Sequence, residues 1–308
     1  MAKAKKKNKK MGKAGKHALT ACGVILLLLC LVMVCAAINA NIIRVRRAEL
    51  TIRDLPDSFE GMTILYASDI DLCGLNTADK AGALFSRLQA MSPDVLILGG
   101  DYTSHSVFEM LNSPDAKAQN TQSQLQKRSD FFHYISDFNA PMGKYAIASP
   151  EDPDWSELKQ VMEANGVYPL FNQRVALTIG EDMLWLVGFS SDGNGTNHSV
   201  DSVFSHEDCV VALSYSPELL PYLLTSEASN SGTWADLILC GHTHGGQIRL
   251  FGHSILQLSH IEQQYISGWA MDNGQPILTT EGLGCEGANM RIGSAPEVWV
   301  ITLHKVSS

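Results

Sequence analysis

Apolar residues in this chain come in short runs that break at glycine, aspartate or serine. From about residue 44 onward, runs of four to seven β-branched and aliphatic residues alternate with stretches in which apolar positions recur every three or four. The first kind predicts strands at "AELTI", "MTILYAS", "DVLILGG", "GKYAIAS", "RVALTI", "MLWLVGF", "CVVALSY", "DLILCG", "PILTT" and "EVWVITL". The second predicts helices at "LFSRLQAM", "FFHYISDF", "WSELKQVMEAN" and "SPELLPYLL". Alternation of this sort argues for one α/β domain over residues 44–308. Residues 111–128, "LNSPDAKAQNTQSQLQKR", are polar throughout and read as an exposed insertion. No internal repeat or linker divides the chain.

One run is of a different kind. No charged side chain occurs from Ala18 to Ile43, and the 26 residues between exceed the roughly 20 that span a bilayer core. A block of eight lysines and no acid precedes it, outweighing Arg44, Arg46 and Arg47 behind it. The positive-inside rule then predicts a cytoplasmic tail (1–17), a single-pass cell-membrane anchor (18–43) and an extracytoplasmic domain (44–308). A cleaved signal peptide is the competing reading, since "VCAA" offers small residues at 34–37; the run exceeds the roughly 7–15 residues of a signal core and favours an anchor.

Charge and cysteine narrow the partners. The domain after residue 43 holds 15 Lys and Arg against 32 Asp and Glu, a formal −17, which excludes nucleic acid. Cys73, Cys209, Cys240 and Cys285 are too widely spaced for a disulfide framework or zinc finger.

Several predicted strands end in residues able to hold a metal. "ILYASDIDLCG" closes on Asp69 and Asp71, "VLILGGDYTSH" on Asp101, and "LILCGHTHGG" on His242 and His244. A lone aspartate at a strand end is ordinarily a cap or turn former. Carboxylates and imidazoles gathered from three distant strand ends are the usual construction of a catalytic metal site.

With SD, GGD and GHTHGGQ in that order, the domain resembles the calcineurin-like metallophosphoesterases, in their membrane-anchored or exported bacterial branch. The likeness extends from "LTIRDLPDSFEGMTILYASD" to "EGLGCEGANMRIGSAPEVWVITL". It implies a four-layer αββα sandwich and two metal ions about 3.5 to 4 Å apart that activate a water and hold phosphate oxygens. Matched motif by motif, the resemblance puts Asp69, Asp71, Asp101, His242 and His244 at metal-ligand positions, Asp71 standing where the family has histidine. The family's Gly-Asn-His stretch corresponds to "SPED", leaving Pro150 at an asparagine ligand and Glu151 at the histidine that serves the leaving group. Tyr215 stands at a further histidine ligand.

The losses fall on one metal. Asp69, Asp71, Asp101 and His244 complete the first site, whereas the second keeps Asp101 and His242 alone, because proline offers no side-chain donor atom. Three carboxylates and one imidazole make a hard site, so the expectation is about one manganese per chain, with magnesium, iron and zinc as alternatives. Glu151, Asp152, His105, His198 and His253 are candidates to rebuild the second site, and Cys73 with Cys285 to pair or to offer a thiolate.

The function expected is metal-dependent hydrolysis of a small-molecule or lipid phosphoester at the extracytoplasmic membrane face, slower than in a two-metal enzyme. The alternatives are an inactive domain that binds a phosphorylated ligand or a protein partner, and a membrane scaffold.

Overall fold

The computed structural model describes residues 13–106, 121–152, 154–190, 203–254 and 261–306. A 27-residue helix, α1 (Lys13–Asn39), comes first. Within it Gly15–Asn39 is long and apolar enough to cross a membrane, and so is a candidate span. The helix begins and ends about four residues before the charge-free run does, because lysine is a good helix former and the chain must turn before β1.

Twelve strands form two six-stranded sheets. The first has the order β1 (Arg44–Ile52), β14 (Glu297–Lys305), β2 (Thr63–Ala67), β3 (Val95–Leu98), β4 (Lys144–Ala146) and β5 (Tyr168–Pro169). The second runs β12 (Gly268–Asp272), β13 (Gln275–Thr279), β9 (Leu237–Cys240), β8 (Val210–Ser214), β7 (Asp182–Phe189) and β6 (Arg174–Ile179). Strands β2 to β5 are mutually parallel, as are β7, β8, β9 and β13. A small hairpin, β10 (Arg249–Leu250) and β11 (His253–Ser254), stands apart.

Period-two alternation sorts the central strands into two cores. Ile64, Tyr66, Val95, Ile97, Leu186, Val211, Leu213, Leu237 and Leu239 meet between the sheets. The intervening Leu65, Ala67, Leu96 and Leu98 face α2 (Ala78–Leu88), α3 (Thr121–Ser136) and α4 (Trp155–Ala164) through Phe85, Phe131, Phe132 and Met162. On the outer face of the second sheet, Val210, Ala212 and Ile238 pack with Trp234 and with Leu220 and Leu223 of α5 (Leu220–Thr225). The result is the helix, sheet, sheet, helix order expected.

Local differences have identifiable causes. The second half of the polar insertion is the start of α3, where Gln124 and Arg128 are buried; residues 107–120 lie outside the described ones. Helix α2 starts at Ala78, earlier than its apolar period, because Thr77 caps it by accepting from the Lys80 N–H. Strands β5 and β10 to β12 are too short or too mixed to announce themselves.

Candidate metal centre

Every predicted ligand follows the carboxyl end of a central strand, where open α/β sheets place their clefts. Asp69 and Asp71 follow β2, Asp101 follows β3, and His242 and His244 follow β9. All five have left-handed backbones, with φ of 53°, 48°, 54°, 74° and 50° in chain order. Aspartate and histidine tolerate this region better than most side chains, yet five in one place mark a backbone over-determined by its surroundings.

The surroundings are visible. Asp69 N–H donates to the Gly100 carbonyl at 3.0 Å, and Asp71 N–H to the Asp101 carbonyl at 2.9 Å, so the β2 and β3 loops hold each other. The loop after β13 closes over both, Gly284 N–H reaching the Asp69 carbonyl at 2.6 Å. Only glycine fits there, since a Cβ on Gly284 would lie 2.3 Å from the Asp71 Cβ. A Cβ on Gly241, just before His242, would fall 2.1 Å from the Ser68 hydroxyl.

The five side chains share one region. His242 Nδ1 is 3.3 Å from Asp101 Oδ2, and His244 Nδ1 is 3.6 Å from Asp71 Oδ2, the latter too long for a hydrogen bond. Asp71, Asp101, His242 and His244 line a cavity of about 480 Å³, with Glu151 and His105 also in its wall.

Electrostatics describe a cluster short of positive charge. Burial and the neighbouring Asp101 carboxylate raise Asp69 and Asp71 well above the usual carboxylate range. Burial pushes Asp101 the same way, but its hydrogen bond and charge attraction with His242 prevail and bring it below normal. His242 is correspondingly raised to about 9, burial opposing and the Asp101 hydrogen bond prevailing. His244 is lowered to about 3 by burial and Arg291, and is therefore the neutral imidazole that ligation requires.

Do these residues fit a divalent cation? Asp69 Oδ2, Asp71 Oδ2 and His244 Nδ1 are buried without a hydrogen-bond partner. Orphaned acceptors of this kind are costly unless something cationic meets them. Donor chemistry and orphaned atoms both fit, although among the described residues no three such side chains already converge closely enough to enclose an ion.

The second set of positions stands differently. Pro150, which precedes the cavity residue Glu151, has no side-chain donor, and the Tyr215 ring packs edge-on against the His242 ring at 6.0 Å between centroids. Asp152 does not rebuild the site: its carboxylate accepts from the N–H groups of Asp101 (3.0 Å), Tyr102 (2.9 Å) and Ser149 (3.1 Å). Glu151 is exposed at the cavity wall. His105 lines the cavity but is 2.9 Å from Gln124 Nε2; His253 is exposed on β11, and His198 lies outside the described residues. No disulfide joins Cys73 to Cys285, the Cys73 thiol donating instead to the Cys285 carbonyl at 3.7 Å, and neither lines the cavity.

Two residues, Ser149 and Arg291, escaped sequence reasoning, and a third, Asp152, has another role than the one expected. Ser149 hydrogen-bonds Asp101 Oδ1, and Asp152 frames the Asp101 backbone. Arg291 is fully buried and spends its guanidinium on carbonyls, those of Glu281 (2.6 Å), His244 (3.1 Å) and Gly284 (2.5 Å) among them. A single arginine inside "NMRIG" gives no local sign of this.

Comparison with known proteins gives a consistent picture. No protein-family model matches the chain. It is 23% identical to the uncharacterized metallophosphoesterase YkoQ of Bacillus subtilis, across 87% of this chain and 92% of that protein. It is 26% identical to phosphodiesterase YaeI of Escherichia coli, across 68% of this chain and 70% of that protein. A transmembrane protein with metallophosphoesterase domain from Danio rerio is 23% identical across 83% of this chain and 56% of its own length.

Proposed function

We propose that this chain, a member of the calcineurin-like metallophosphoesterase family and a hydrolase of phosphoester bonds, acts on a phosphoester at the extracytoplasmic face of a membrane it spans once. The observation that carries the reading is the meeting of left-handed Asp71, Asp101, His242 and His244, from three strand ends, at one cavity, with Asp69 bonded behind them to the His242 N–H and three atoms of the set orphaned. Asp69, Asp71, Asp101 and His244 would hold one divalent cation, which when bound supplies Lewis acidity toward a phosphoryl oxygen.

The protein's own groups do the rest. Asp152 and Ser149 fix the Asp101 carboxylate from behind, and Arg291 fixes the backbone carrying His244. Glu151, exposed at the wall, would face the leaving-group oxygen from the position the family gives to a histidine. Charge clamping on the second side is reduced to His242, so turnover falls below that of a complete two-metal site, by about a hundredfold for a lost clamp of roughly 3 kcal/mol.

The test is turnover of bis(p-nitrophenyl) phosphate by the purified chain with manganese, magnesium or zinc, beside Asp101→Asn. Metal-dependent turnover lost in the variant supports the reading. Absence of turnover with every metal would defeat it.

A further inference from the structure

The last turn of α1 is bonded to the loop that walls the cleft. The Arg291 N–H donates to the Ala36 carbonyl at 3.1 Å, and Asn39 Nδ2 donates to the carbonyls of Arg291 (3.1 Å) and Ser294 (2.7 Å). Ala36 and Ala40 are buried at this contact, whereas Leu19 to Val34 expose their apolar side chains. The chain then enters β1 at Arg44, which is bonded through its N–H to the Pro296 carbonyl. There is no slack between helix and domain. If α1 crosses a bilayer, the loop around residues 286–294 lies at the bilayer surface.

Two other loops tied to this end carry exposed apolar tips. Ile248 bridges Ile292, and the Arg249 N–H donates to the Ile292 carbonyl at 2.7 Å, so the β10–β11 hairpin grows out of the loop that holds α1. At its tip Leu250 is 57% and Phe251 93% exposed. Phe251 also has φ of 51°, a conformation suited to Gly or Asn and unfavourable for a large side chain. A phenylalanine there, 93% exposed, contributes nothing to the fold that a glycine would not. Leu75, 73% exposed, tops the loop after Asp71; that loop is held through the Cys73 contact with the Cys285 carbonyl, and Lys80 beyond it reaches Asn41. Exposed Arg44 and Arg47 come soon after the helix and suit anionic headgroups, whereas Arg46 is paired with Glu297 at 3.2 Å.

We propose that Leu75, Leu250 and Phe251 form an apolar rim that enters the same bilayer leaflet in which α1 ends, so that the cleft takes its phosphoester from a lipid of that leaflet. The second clause rests on the phosphoesterase reading above; the first does not. Continuity with α1 selects the bilayer over a protein partner, because the anchor already brings these tips to that depth.

The full chain, reconstituted in phosphatidylcholine–phosphatidylglycerol vesicles, tests both clauses. Emission added by Phe251→Trp over the native tryptophans should fall by about half or more when the lipid is dibrominated, since the rim is expected within the acyl boundary. Added emission that bromine spares and aqueous iodide quenches overturns the rim. For the substrate, turnover of p-nitrophenyl hexadecyl phosphate in the vesicles is compared with that of water-soluble bis(p-nitrophenyl) phosphate. Leu250→Ser/Phe251→Ser should lower the ratio of the two rates about tenfold. An unchanged ratio overturns lipid supply while leaving the phosphoesterase standing, and turnover of neither ester by the parent chain removes the phosphoesterase reading and lipid supply together.

Discussion

The backbone N–H of His242 donates to Asp69 Oδ1 at 2.7 Å across 173 residues of sequence. This bond joins the loop of the first sheet to that of the second, so the ligands from β2 and β9 are set by one hydrogen bond across the sandwich. It also spends one Asp69 oxygen and leaves the other, Oδ2, as one of the orphaned atoms. Removing the carboxylate would therefore take away a candidate metal ligand and release His242 together.

The two histidines are expected to behave unequally. His244 is buried, neutral and short of a partner, while His242 is paired with Asp101 in a set that has lost Asn and His. By isothermal titration, manganese should bind with a stoichiometry of about one; Asp101→Asn should abolish it, and His244→Ala should weaken it about a hundredfold against about tenfold for His242→Ala. Equal losses would show a rebuilt second site.

Restoring the family residues should add what is missing. The triple variant Pro150→Asn, Glu151→His, Tyr215→His is expected to raise manganese content from about one toward two per chain and turnover by about tenfold or more. Metal analysis by mass spectrometry reads the first, and bis(p-nitrophenyl) phosphate turnover the second.

Arg291 makes a structural prediction. Replacing it by methionine leaves the buried carbonyls of Glu281, His244 and Gly284 without their donor. At about 1–3 kcal/mol per unsatisfied buried group, urea denaturation should show a loss of at least about 3 kcal/mol.

Asp236, outside the lining of the cleft, supplies a pH dependence of its own. Burial, against the relief of accepting from the Val210 N–H, raises its carboxyl to about 7. The unfolded chain ionises this group near pH 4, the folded chain only near 7, so its protonation favours the fold below about 4 and that advantage is lost as pH climbs to about 7. Asp236→Asn keeps an acceptor and cannot ionise. The stability of the parent relative to Asp236→Asn should fall between pH 4 and 7 and level off above; a flat difference in chemical denaturation would contradict the raised value.

Membrane topology is open to direct test. Protease added to intact spheroplasts should remove residues 44–308, whereas a domain that survives until lysis would reverse the orientation proposed from the lysine block.

By itself the sequence determined the alternation of elements, the apolar N-terminal run and the strand-end residues Asp69, Asp71, Asp101, His242 and His244, because period and punctuation are local properties that a chain cannot hide. Set against the family's motif, it also marked Pro150 as unable to repeat a ligand, since proline has no side-chain donor atom. Only the tertiary structure decided what the neighbouring polar residues do. Asp152 looked like a spare ligand and is instead committed to three backbone N–H groups. Arg291 carries no local sign of its role and is buried against carbonyls from two loops. Gln124 and Arg128, read as part of an exposed insertion, are buried on α3. The reason is the same in each case: a polar side chain's role depends on which unsatisfied backbone groups fold next to it, and those come from segments far away in the chain.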